Sequence, residues 1–284
     1  MQVQHHFVQC DQLEVHLTCW GDQSAPAVVL WHGLTRTGRD FDELAQTLAK
    51  DFFVLCPDTP GRGHSQWSAS PEVDYVLPRY VEVAHQLLDA FKIDQCIWIG
   101  TSMGGLIGIL LAAEADTPVS ALLVNDVGPE LPAKALQRIR DYISMQPVFD
   151  SLTELEQWLK TVYVTFGKNT AEFWRRMALT SSRRLPDGRY TLHYDPALGK
   201  AFQNVDDDEQ TLWPQWQAIR CPLMVVRGAE SDLLSASLLE AMQKSQPTAQ
   251  CVTLADVGHA PTLVSPEQQQ LVVDWVCRNS VCGS

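Results

Sequence analysis

The chain opens with two stretches of loosely alternating polar and apolar residues, 2–10 and 13–20, a pattern that predicts a hairpin. Six short and almost continuously apolar runs follow, at 27–31, 52–56, 96–99, 121–124, 223–226 and 251–254. A run of four to six residues that is apolar on both faces fits a strand buried inside a parallel sheet. Between the runs, residues 41–48, 80–91, 104–115, 238–243 and 268–277 place apolar side chains at three- and four-residue steps, the period of an amphipathic helix. Strand–helix alternation on both sides of one interruption predicts a doubly wound, mostly parallel α/β sheet.

The interruption has a different texture. From 129 to about 213 strand-like runs are missing, and helical periodicity covers 133–145, 152–166 and 171–182, with many aromatics and a Pro186-Asp-Gly turn signal. The expected organisation is a core built from 1–128 and 214–284, with a helical cap, 129–213, inserted after the sixth strand. The cap is expected to lie over the C-terminal ends of the strands, with most of its aromatics sealing it to the core.

Composition narrows the partners more than the fold. The 284 residues carry 21 Lys and Arg against 34 Asp and Glu, a net charge of −13, and such a field repels nucleic acid and anionic membrane surfaces. No apolar run approaches the roughly 20 residues needed to span a bilayer, and the first residues lack the cationic and apolar regions of a secretory signal. Eight cysteines without a CxxC pair fit a reduced, cytoplasmic compartment. The acidic run Asp206-Asp-Asp-Glu209 fits a solvated turn or helix start better than a metal site.

The sharpest chemical signal is Gly100-Thr-Ser102-Met-Gly104, set between an apolar run and a helical stretch. A serine hydroxyl is a weak nucleophile and must be held clear of its neighbours and beside a base. A tight strand-to-helix turn does this, and it brings the Met103 N–H, at the helix start, to where an oxyanion would form. His259 follows the last apolar run and precedes the last helix, which makes it the candidate base. Two aspartates at strand ends compete to orient it, Asp126 after 121–124 and Asp232 after 223–226, and Glu230 could also serve chemically.

Together with His32-Gly33, Asp58-Thr-Pro-Gly-Arg-Gly-His-Ser65, Gly228-Ala-Glu-Ser-Asp232 and Gly258-His259, these pieces resemble the α/β-hydrolase superfamily along the whole chain. The resemblance implies a second oxyanion-hole donor at the Leu34 N–H, with His32 and Gly33 beside the substrate. It also implies Asp232 as the triad acid, at the end of a Gly-x-x-x-Asp segment. The Gly61/Gly63 loop is expected to be structural, with Arg62 and His64 facing solvent. The implied reaction is hydrolysis of a small-molecule carboxylic ester of short or medium acyl chain through an acyl-enzyme, with neither metal nor organic cofactor.

Capped relatives in the superfamily also include enol-lactonases and hydrolases of carbon–carbon bonds in ring-fission products. The latter commonly carry Trp after the histidine and an arginine in the cap. Ala260 departs from that pattern, while Arg175, Arg176, Arg183 and Arg184 keep it open. Dehalogenases and epoxide hydrolases use an aspartate nucleophile, which Ser102 excludes. A non-catalytic, ligand-binding relative is the reading from outside enzymology, and retention of serine, acid, histidine and oxyanion glycine together argues against it.

Overall fold

The computed structural model describes residues 3–143, 145–203 and 211–280. In chain order, strands β1 (Gln4–Cys10) and β2 (Leu13–Trp20) form the opening hairpin. They are followed by β3 (Ala27–Trp31), helix α1 (Asp42–Leu48), β4 (Phe53–Pro57), α2 (Pro71–Asp74), α3 (Leu77–Phe91), β5 (Cys96–Thr101), α4 (Met103–Ala112) and β6 (Val119–Asn125). The insertion comprises α5 (Ala133–Ile143), β7 (Val148–Phe149), α6 (Leu152–Val162), α7 (Ala171–Thr180), β8 (Ser182–Arg184), β9 (Tyr190–Leu192) and α8 (Ala197–Gln203). The chain then returns through α9 (Trp213–Ala218), β10 (Leu223–Gly228), α10 (Ala236–Ser245), β11 (Gln250–Leu254) and α11 (Pro266–Asn279).

Eight strands make one sheet in the order β1-β2-β4-β3-β5-β6-β10-β11, antiparallel at β1–β2 and β2–β4 and parallel from β4 to β11. Every apolar run of the sequence is one of its strands. Side chains alternate between two apolar layers: Val29 and Trp31 pack on the α3/α4 face, Val28 and Leu30 on the α1/α11 face. From β3 the chain crosses to β4 on one side, and from β5 it crosses to β6 on the other, so the β3–β5 boundary is the topological switch point. In open α/β sheets the crevice beyond the strand ends at that boundary is where ligands bind.

The insertion has its own core of Phe149, Leu155, Leu159, Phe173, Trp174, Met177 and Ala178. It is less purely helical than the sequence pattern predicts, because β7, β9 and β8 form a small antiparallel sheet. Strands of two and three residues leave no apolar run to detect; only the β8–β9 turn, with Gly188 at φ 90°, is announced by Pro186-Asp-Gly. No helix among the described residues is long and apolar enough to cross a membrane, and Cys10, Cys19, Cys56, Cys96, Cys221 and Cys251 are free thiols.

Candidate active site

Ser102 stands at the C-terminal end of β5, with φ 52° and ψ −116°, a backbone region that a non-glycine residue occupies at a cost of about 1–3 kcal/mol. Two glycines permit the turn by close approach. A Cβ on Gly100 would lie 2.1 Å from the Gly104 carbonyl oxygen, and one on Gly104 would lie 2.1 Å from the Trp31 carbonyl oxygen. Beneath the turn the Trp31 and Trp98 rings stack with centroids 5.1 Å apart, and Trp98 Nε1 donates to the Gly104 carbonyl at 2.9 Å. The strained serine is therefore held from below by aromatic packing.

His259 reaches Ser102 from the loop after β11, with Nε2 3.0 Å from Oγ. Its Nδ1 lies 2.8 Å from Asp126 Oδ2, so imidazole, hydroxyl and carboxylate form one chain. The loop is tied down twice: Asn125 Nδ2 donates to the Pro261 carbonyl at 2.8 Å, and the cap residue Thr165 donates its hydroxyl to the His259 carbonyl at 2.7 Å.

The acid in contact with the histidine is Asp126, not Asp232. Asp126 follows β6 directly, is fully buried with φ 59°, and accepts the Gly228 N–H on Oδ1 at 2.8 Å. Asp232 lies four positions past the end of β10, after a turn closed by Ser231 N–H to the Gly228 carbonyl, and has swung to the rim. There it pairs with Arg138 of α5 at 2.7 Å and is about half exposed. The position over the β10 end from which it could meet His259 is filled by Asp126. Glu230 is exposed and takes no part in this chain.

The turn after β3 lies across the switch point from Ser102. An ideal Cβ on Gly33 would be 3.6 Å from Ser102 Cβ. Neither the Leu34 N–H nor the Met103 N–H has an acceptor among the described residues, as expected of donors aimed at an open site, and Met103 is the first residue of α4. His32, expected beside the substrate, is completely buried with both ring nitrogens committed. Nε2 accepts the Thr59 N–H at 2.9 Å, which leaves Nδ1 to donate to the Gly33 carbonyl at 2.6 Å. Burial pushes its pKa down to about 4, so it is a neutral brace for the turn.

Arg62, expected in solvent, is also fully buried. Its guanidinium donates to the carbonyls of Leu34 (2.9 Å) and Pro60 (2.6 Å) and to the Tyr80 hydroxyl (2.7 Å), and it touches Met103 Sδ at 3.7 Å. One side chain thus spans both residues whose N–H groups lack an acceptor among the described residues. His64 lies beside the buried His16, which bonds Asp58 at 2.7 Å. Burial opposes ionisation of Asp58, but hydrogen bonds from His16 and from the His64 N–H hold its carboxyl below the usual range.

A second buried arginine, Arg36, went unnoticed in the sequence because nothing in Leu34-Thr-Arg-Thr marks it. It forms a bidentate pair with Asp40 at 2.6 and 2.8 Å and donates to Ser181 of the cap at 2.8 Å. None of the four cap arginines singled out by sequence bonds to Ser102 or His259. Arg175 is exposed, Arg176 pairs with Glu43 at 2.8 Å, Arg183 lies over Trp67 and Arg184 over Tyr190. No group of three or more potential metal ligands is assembled among the described residues; Asp206–Glu209 lies outside them.

Comparison with known proteins places the chain in a family. The chain is 42% identical over 258 residues to a 3-hydroxybutyrate-oligomer hydrolase of Cupriavidus necator, covering 88% of each chain. It is 28% identical to esterase Rv0045c of Mycobacterium tuberculosis, covering 76% of this chain and 70% of that one. The crystal structure of an alpha/beta hydrolase from Novosphingobium aromaticivorans superposes with a TM-score of 0.87 at 33% identity, covering 98% of both chains. Residues 28–275 match the alpha/beta hydrolase family as a whole, and the chain belongs to that family as one of its hydrolases.

Proposed function

We propose that the protein is a serine hydrolase that cleaves esters of short hydroxyacyl chains through an acyl-enzyme on Ser102. The observation that carries this reading is the continuous chain from Ser102 Oγ through His259 to the buried Asp126. In this scheme His259 Nε2 takes the Ser102 proton as Oγ bonds to the ester carbonyl carbon. The Leu34 and Met103 amides receive the oxyanion. The carbon–oxygen bond to the alcohol then breaks, His259 protonates the departing alcohol, and water attacks the acyl-serine by the same route in reverse. Asp126 orients the imidazole and stabilises its cationic form without itself being protonated.

The substrate class rests on the relative named for 3-hydroxybutyrate oligomers, which matches most of both chains. The carbon–carbon hydrolase reading gains nothing from the cap, whose arginines are paired, stacked on rings or exposed. The test is release of 3-hydroxybutyrate from its linear dimer by wild type and by Ser102→Ala. Wild type should turn the dimer over, and the variant should be at least ~10³-fold slower. A variant that kept a tenth of the activity would remove Ser102 as the nucleophile.

A further inference from the structure

Between the turn that carries Leu34 and the cap lies a cavity of about 10 Å³, room for one oxygen-sized group, lined by Thr35, Arg36, Tyr142, Tyr163 and His193 among others. His193, just beyond β9, is 4% exposed. Its Nδ1 accepts the Gly63 N–H at 2.7 Å and so carries no proton. Burial pushes its pKa down to about 3, and the neutral ring therefore holds its single proton on Nε2. That Nε2–H is buried and has no acceptor among the described residues. Buried donors are almost always paired, and His193 is one of the residues that line the cavity.

The rest of the lining is also rich in donors. The Thr35 hydroxyl is 3.1 Å from the Tyr163 hydroxyl, and Tyr142 lines the same cavity. Burial raises the Tyr142 pKa, keeping that hydroxyl protonated. Arg36 stays cationic, because the Asp40 charge outweighs the opposing effect of burial. Thr35 follows Leu34 directly in the chain, so this donor cluster adjoins the amide assigned to the oxyanion.

We propose that this cavity is a substrate subsite that receives a hydrogen-bond-accepting oxygen of the acyl chain, with His193 Nε2–H as its donor. The subsite rests on the reading of Ser102 as nucleophile and deepens it, because it distinguishes a hydroxyacyl ester from a plain alkyl one. An acyl chain without the oxygen leaves the buried donor unpaired, and the binding preference follows from that difference.

The experiment compares kcat/KM for ethyl 3-hydroxybutyrate and ethyl butyrate in wild type, His193→Asn and His193→Gln. Asparagine keeps an acceptor near the Nδ1 position for Gly63 and removes the Nε2 donor; glutamine places an amide N–H near Nε2. The ratio of the two kcat/KM values should favour the hydroxy ester in wild type. It should fall by ~10-fold in His193→Asn and recover at least in part in His193→Gln. Should the histidine variants fail to fold, Tyr163→Phe removes one hydroxyl of the cluster and should lower the same ratio by ~3-fold. A ratio unchanged within twofold in a folded His193→Asn overturns the subsite. If that happens while wild type still turns over both esters and is labelled at Ser102 by a fluorophosphonate, the nucleophile survives and only the subsite falls. A wild type that neither labels nor hydrolyses overturns both.

Discussion

Asp126 and Asp232 follow neighbouring strands of one sheet, yet they live in different solvents. Asp126 is completely buried, its two oxygens divided between the Gly228 N–H and His259. Asp232 is about half exposed and faces Arg138 across the rim between α10 and the cap. A fixed carboxylate in low dielectric acts strongly on the one imidazole it touches, whereas a rim pair in water is worth at most ~1 kcal/mol. The same contrast separates the inner wall of the site, with Arg62, Arg36 and His32 sealed inside, from the outer cap, whose charged groups are screened. In the proposed mechanism the inner wall, not the cap rim, acts on Ser102.

The comparison breaks most visibly by removing either acid. Asp126→Asn should lower kcat for ester hydrolysis by ~10³–10⁴-fold, because the imidazole loses both its orientation and its counter-charge. Asp232→Asn should leave kcat within about threefold and change stability by less than ~1 kcal/mol. Steady-state kinetics and thermal melts of the two variants check this directly. Reversed losses would move the acid to the rim.

A smaller effect is expected from the inner wall itself. Arg62→Lys keeps the charge but cannot reproduce the planar fork that joins Leu34, Pro60 and Tyr80. It should lower kcat by ~10-fold with KM changed less, because the oxyanion is bound only as the reaction proceeds. An equal rise in KM with kcat intact would show that Arg62 shapes substrate binding rather than the amides.

The smallest effect near neutral pH comes from the buried histidines. An unfolded imidazole titrates near 6.5, while the fold holds His32 near 4 and His193 near 3. Below about pH 6.5 the unfolded chain takes up protons that these two rings refuse. Their contribution to stability is therefore fully present above that value and is lost as pH falls toward 4. Thermal midpoints measured from pH 8 to pH 4 should decline below about 6.5. A midpoint that rose on acidification would contradict the buried, neutral state of both rings.

How much of this was legible depended on how local each signal is. The strands were readable because burial on both faces writes a continuous apolar run, as at 96–99 and 223–226. Ser102 was readable because its turn demands small residues at fixed offsets, and His259 because few histidines sit beyond a strand end. The acid was not settled by these means, since both aspartates follow an apolar run and both precede His259. The distinguishing feature is distance: Asp126 immediately follows β6, whereas four positions and a turn carry Asp232 away from β10. Arg62, Arg36 and His193 were missed for a different reason. Their partners come from remote elements, Tyr80 of α3, Ser181 of the cap and Gly63 of the loop after β4, and charge in a glycine-rich segment reads by default as solvent-exposed.

The central claim is that Ser102 is activated by His259 acting over Asp126. The rate constant for fluorophosphonate labelling of Ser102 reports that activation without reference to any natural substrate. In wild type, Asp126→Asn and Asp232→Asn measured side by side, labelling should be fast in wild type, at least ~10²-fold slower in Asp126→Asn, and within about threefold of wild type in Asp232→Asn. Equal rates in wild type and Asp126→Asn, or a greater loss in Asp232→Asn, would contradict the account.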